Sequence, residues 1–128
     1  MDLQNVENSR EVSLVAVAYE VSECQTYYCR DGLSRTVQQI ILVGDTRRSV
    51  SLTLWGDYLN KLDNCEGTAL IVENISTKEY RGLRTLSTTA TTVLRQMDEN
   101  PTVEQAYLQN WWDTEGKEEV FEDIQLAE

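Results

Sequence analysis

The stretch Ser49-Val50-Ser51-Leu52-Thr53-Leu54-Trp55-Gly56 sets a tryptophan among small hydroxyls. Val50, Leu52 and Leu54 alternate with Ser49, Ser51, Thr53 and Trp55, the two-residue period of a β-strand with one buried face. The indole therefore falls on the polar face, at the strand's end, just before a glycine. A large flat ring in that place has two uses. It covers a neighbouring edge or helix, since large aromatics often sit half buried, or it is a platform on which a flat ligand such as a nucleobase stacks. Taken by itself, the strand favours the first.

The rest of the chain offers little for catalysis. There is no histidine, the commonest general base, and no phosphate loop, Gly-rich dinucleotide turn or nucleophile elbow. Asp57 and Asp63 form a carboxylate pair only in sequence; a helix cap and a solvated helix end account for them. Cys24, Cys29 and Cys65 are odd in number, which points to free thiols in a reducing compartment. A zinc site would need a fourth ligand, and histidine is absent. No metal or cofactor is expected, and a binding module fits better than an enzyme.

Length and charge bound the partners. At 128 residues the chain suits one core, and its 41% hydrophobic content is ordinary for a globular domain. No apolar run reaches membrane-spanning length, so no membrane partner is expected. The polar start, Met1-Asp2-Leu3-Gln4-Asn5, does not read as a secretory signal. Net charge is −11, unevenly spread: residues 96–128 hold ten acids and one base, whereas residues 1–95 hold twelve acids and ten bases. A nearly neutral body with an acidic C-terminal quarter weakens, without removing, the charge argument against a polyanion partner.

The elements that must position these residues follow in order. Residues 1–11 read as a frayed lead-in. Residues 12–21 form a long strand, apolar on both parities and so either central or strongly curved with both faces partly covered. Residues 25–29 are a short second run and 30–34 a loop tip marked by Asp31-Gly32. Residues 36–43 are a strand that turns at Gly44-Asp45 into the Trp55 strand. Residues 57–62 fit a short helix capped by Asp57, and 69–75 a buried strand. Residues 76–83 read as a loop and 84–94 as a final strand dense in threonine. Asn100-Pro101 opens a helix over 102–112 with Val103, Ala106, Tyr107, Asn110 and Trp111 near one stripe. Residues 117–128 form an acidic tail, open to a short helix, folding on a partner, or disorder.

Five strands with a short helix between the third and fourth and a C-terminal helix match the OB-fold, an all-β five-stranded barrel. An SH3-like barrel and a small α+β domain are the alternatives. In an OB-fold the face of strands 2 and 3, with the loops joining strands 1–2 and 4–5, binds ligands. The first loop supplies Tyr27, Tyr28, Arg30 and Arg35; the second supplies Lys78, Tyr80, Arg81 and Arg84. Tyr27 and Tyr28 read as loop-packing residues.

Several motifs occur in a telling order: Ser51-Leu52-Thr53-Leu54-Trp55-Gly56-Asp57, Lys78-Glu79-Tyr80-Arg81-Gly82 leading to Arg84-Thr85-Leu86-Ser87, Asn100-Pro101, and Trp111-Trp112-Asp113-Thr114-Glu115-Gly116. The set resembles the second single-stranded-DNA-binding OB domain of the replication protein A large subunit, or a divergent paralogue of it, over residues 12–117. The resemblance implies that Trp55 and Tyr80 stack on bases and matches Arg84 to a basic position; on the predicted surface, Arg30, Arg35, Lys78, Arg81 and Arg84 either track the backbone or are ordinary surface charge. It also implies a nuclear protein of DNA replication, repair, recombination or telomere maintenance. Its partners would be single-stranded DNA, neighbouring OB domains and other subunits of a replication protein A-like complex. Four positions depart from the family pattern toward lower positive charge: the pair Val37 and Gln38, Glu73, and Ser76. Two readings follow: a weak binder helped by linked OB domains, or a paralogue, such as a telomere- or meiosis-specific one, turned to protein contacts.

Overall fold

Along the middle of each long strand one face is buried. Ala16 and Ala18 of β1 (Glu11–Val21), Ile40 and Leu42 of β3 (Ser34–Val43), and Val50, Leu52 and Leu54 of β4 (Arg48–Trp55) share a single cluster. Leu70 and Val72 of β5 (Ala69–Tyr80) and Leu86 of β6 (Leu83–Ser87) complete its strand side. The computed structural model describes residues 11–118 and Glu122–Asp123. All of the expected lead-in but Glu11, and most of the acidic segment 117–128, lie outside the described residues.

The strands close on themselves. β3 pairs antiparallel with β1 and β4, β1 with β5, and β5 with β6, while β6 runs parallel to β4. This is the OB-fold barrel that the strand order predicts. Three short strands add to it: β2 (Gln25–Tyr28) on β3, β7 (Val93–Arg95) on β5, and β8 (Glu122–Asp123) parallel to Arg48–Ser49 of β4.

The doubly apolar first strand has its explanation outside the barrel. Val17, with Val43 and Ala69, packs beneath Leu108 and Trp111 of α1 (Val103–Thr114), with Val15 and Ile41 alongside. Thr102 caps this helix, not Asn100: its hydroxyl accepts the Gln105 N–H at 3.1 Å, and the Gln105 side chain accepts the Thr102 N–H at 3.1 Å. Asn100 and Pro101 lie outside the helix. The buried stripe is Gln105, Leu108 and Trp111 rather than the one predicted; Val103 is 87% exposed, and Tyr107 is also exposed. Glutamines set the rotation. Gln109 accepts the Ala69 N–H at 2.9 Å and donates to the Gly67 carbonyl at 2.8 Å, satisfying the start of β5.

The helix expected over 57–62 is a single 3₁₀ turn, Gly56–Tyr58, without a side-chain cap, followed by turns. Asn60 and Asn64 take positive φ, 63° and 64°, which stops a helix. Buried Gln38 holds the segment in place. Its Oε1 accepts the Asn60 N–H at 2.8 Å, and its Nε2 donates to the Ser22 carbonyl at 2.9 Å and to Asp63 Oδ1 at 2.8 Å. Gln38 is thus an internal brace. Replacing Gln38 with leucine leaves these groups unmatched and is expected to cost about 1–3 kcal/mol in urea unfolding. The same change at exposed Gln39 is expected to stay within about 0.5 kcal/mol.

Two further expectations are corrected. The strand predicted over 69–75 continues to Tyr80, and the supposed loop 76–83 is the β5–β6 hairpin, with Ser76 opposite Ser87 and Tyr80 opposite Leu83. Arg81 and Gly82 turn it with φ of 52° and 80°, the left-handed pair a two-residue hairpin turn requires. The strand predicted over 84–94 splits into β6 and β7. Between them, the Thr89 and Thr92 hydroxyls donate to the carbonyl of Asn74 at 3.1 and 2.7 Å. Asn74 itself has φ 58°. These threonines therefore serve an irregular point in β5.

Candidate nucleic-acid interface

Cross-strand register places the outward residues in rows. Trp55 on β4 is opposite Val37 on β3, which is opposite Gln25 on β2. One row back are Gln39, Thr53, Ser87 and Ser76, and behind them Ile41, Ser51, Thr85 and Lys78. One row forward of Trp55, Arg35 is opposite Tyr27. Residues directly opposite share a face, so these positions form one continuous surface. α1 covers its Ile41 corner. From Gln39 and Thr53 toward Trp55 and Tyr27 it is open and lined by hydroxyls and amides.

Trp55 is 40% exposed. Its Nε1 donates to Ser87 Oγ at 2.8 Å, and its backbone N–H to Thr88 Oγ1 at 3.1 Å. Thr88 in turn donates its N–H to the Thr53 carbonyl at 3.0 Å. The ring is thus tethered at its polar edge, which reduces the rotamer freedom that binding would otherwise remove. Gly56 follows with φ 56°, letting the chain leave the face immediately after the indole.

The expected cations divide. Lys78 is exposed on the face, opposite Thr85. Arg81 is exposed at the tip of the β5–β6 hairpin, and Arg30 and Arg35 are exposed on the β2–β3 hairpin. Arg35 is 3.8 Å from Asp31. Arg84 does not join them: it is 4% exposed, and its Nη1 donates to the Lys78 carbonyl at 3.3 Å, inside its own hairpin. Strand parity explains this, since Arg84 alternates with Thr85 and falls on the side of Leu86. Glu73 pairs with Arg95 at 3.0 Å, where β5 meets β7. Tyr80 ends β5, and the stacking expected of its side chain lies outside the described residues.

By sequence, Tyr27 reads as a packing residue of the first loop. It is 51% exposed and on the Trp55 face, not packed in a loop. Tyr28, one residue on, alternates to the other face and is 86% exposed. The signal was the short run of residues 25–28 itself, whose alternation gains meaning only once its pairing with β3 is known. All three cysteines are free; Cys65 is buried, and burial, with help from Glu66 and Asp63, pushes its thiol pKa up. Among the described residues no group of His, Cys, Asp or Glu could hold a metal ion.

The closed barrel with its C-terminal helix is an OB-fold domain. The family model described as the replication protein A OB domain matches residues 1–97, and the chain belongs to that family. It is 27% identical over 121 residues to the Replication protein A 70 kDa DNA-binding subunit of Drosophila melanogaster, covering 93% of this chain and 20% of that protein. Identity to a Replication protein A 70 kDa DNA-binding subunit of Arabidopsis thaliana is 27% over 124 residues, covering 91% of this chain and 15% of that protein. The chain therefore spans a fifth or less of these relatives. Its fold superimposes on a replication protein A heterotrimer bound to single-stranded DNA with a TM-score of 0.82 at 19% identity, covering 94% of this chain and 28% of that one. For a fission yeast Pot1 structure with single-stranded DNA the TM-score is 0.55 at 12% identity, over 84% and 43% of the two chains.

Proposed function

We propose that this domain binds single-stranded DNA, with a base stacked on Trp55 and a second on Tyr80. The carrying observation is the Trp55 indole, exposed on an otherwise polar face and tethered to Ser87 in a replication protein A-family OB domain. Lys78, Arg81, Arg30 and Arg35 contact phosphates at the rims, while Arg84 braces the β5–β6 hairpin. The domain works within a larger nuclear, multi-OB protein of DNA replication, repair, recombination or telomere maintenance, where linked domains raise an individually modest affinity. That relatives bound to single-stranded DNA share the fold supports this reading.

Charge determines how the binding should respond to salt. Four exposed rim cations set an upper bound on phosphates neutralised, so the slope of log K against log salt should be no steeper than about −3. Titrating labelled oligothymidine at graded salt tests this by fluorescence anisotropy. Single-strand binding with a shallow slope and little duplex competition is the expected result. No binding even at low salt would overturn the proposal and favour a protein-contact domain, the reading supported by the net charge of −11.

A further inference from the structure

Tyr27 is tied to the sheet rather than placed at random on a loop. β2 and β3 pair over four positions, Gln25–Val37 to Tyr28–Ser34. The Thr26 and Thr36 hydroxyls, 2.9 Å apart, link the two strands on the opposite face. The Tyr27 hydroxyl donates to Gln25 Oε1 at 2.7 Å, two residues back on its own face. That bond uses the polar tip and leaves the aromatic body half exposed. Val37, between the Trp55 and Gln25 positions, is buried and forms an apolar floor.

The register also gives direction. Because β6 runs parallel to β4, the tip of the β5–β6 hairpin lies toward the Arg48 end of β4, and the β2–β3 hairpin lies beyond its Trp55 end. A strand crossing the face from Lys78 past Ser87 to Trp55 therefore meets Tyr27 next. From strand spacing and rise, the two Cα atoms are on the order of 12 Å apart. Arg35 is the cross-strand neighbour of Tyr27 and places a cation beside the ring.

We propose that Tyr27 is a further base-stacking platform, engaged only by strands long enough to extend past Trp55. The proposal rests on the single-strand-binding reading above and lengthens its site onto the β2–β3 hairpin. Tyr28 supplies an internal control: same residue type, same strand, greater exposure, opposite face.

The test uses labelled oligothymidines from about 4 to 16 nucleotides, the range of OB-fold site sizes, against the 128-residue chain. Tyr27→Ala is expected to match the wild type on the shortest strands and to lose roughly fivefold or more on longer ones. Tyr27→Phe should retain the length-dependent gain, and Tyr28→Ala should follow the wild type throughout. If Tyr27→Ala superimposes on the wild type at every length while Trp55→Ala is impaired, the Tyr27 platform is wrong and the single-strand reading stands. Equal losses from Tyr27→Ala and Tyr28→Ala would also overturn it, because the face would then not matter. A wild-type chain that binds no length in low salt defeats both.

Discussion

Trp55→Ala is expected to weaken oligothymidine binding roughly 5- to 150-fold, corresponding to about 1–3 kcal/mol for one lost stacking platform. The loss should appear at every strand length, because Trp55 lies in the middle of the open face. Trp55→Phe should recover part of the affinity, since a smaller ring still stacks but has no Nε1 to bond Ser87. Ser87→Ala should cost less than either, as it frees the ring without removing it. Stability separates this from unfolding: Trp55 ends its strand and is partly exposed, so Trp55→Ala should destabilise by only about 1 kcal/mol. Equal affinity of Trp55→Ala and wild type, by anisotropy at low salt, would rule out the platform.

The largest stability effect is expected at the other aromatic end of the chain. Trp111 is buried where α1 seals Val17, Val43 and Ala69, with its ring 6.3 Å from that of Trp112, which in turn meets Tyr19 edge-on at 6.0 Å. A Cβ added at Gly116 would come within 2.7 Å of the Trp111 ring, so the chain after the helix closes tightly over the indole. Trp111→Ala should therefore cost about 3–5 kcal/mol in urea unfolding, a cavity that neither strands nor helix can refill. Val103→Ala, at a position with the same apolar character in sequence, should change stability by no more than about 0.5 kcal/mol. Comparable costs for the two would mean that the helix packs by the stripe predicted from its sequence.

That stripe shows where local pattern is insufficient. Val103, Ala106, Tyr107, Asn110 and Trp111 do lie near one side of a helix, but α1 docks through Gln105, Leu108 and Trp111. Gln105 and Gln109 bond to the backbone around Ala69, and their amides satisfy strand groups that no periodicity analysis counts. Tyr107 instead reaches Asp45 at the β3–β4 turn, whose carboxylate raises its phenol pKa. The β5–β6 hairpin was obscured differently. Its outward residues are polar, so an extended strand with one wet face read as a loop.

The order of strands, the alternation of Val50, Leu52 and Leu54, and the exposure of Trp55 were all present in the sequence. Each depends on a two-residue period acting over a few positions, and burial of one face enforces it. Membership of the replication protein A OB-domain family followed from the same motifs. What only the tertiary structure decided is which side chains share a surface. Arg84 and Lys78 sit near each other in sequence, yet the register and parity of β5 and β6 bury the first and expose the second. Tyr27 and Trp55 are far apart along the chain, yet β3 between them brings them onto one face. Trp55 in isolation looked like a cover for some edge; the structure holds it by Ser87 on an open face. Local sequence determines a strand's two faces, but which face meets solvent beside which neighbour depends on non-local pairing and barrel closure.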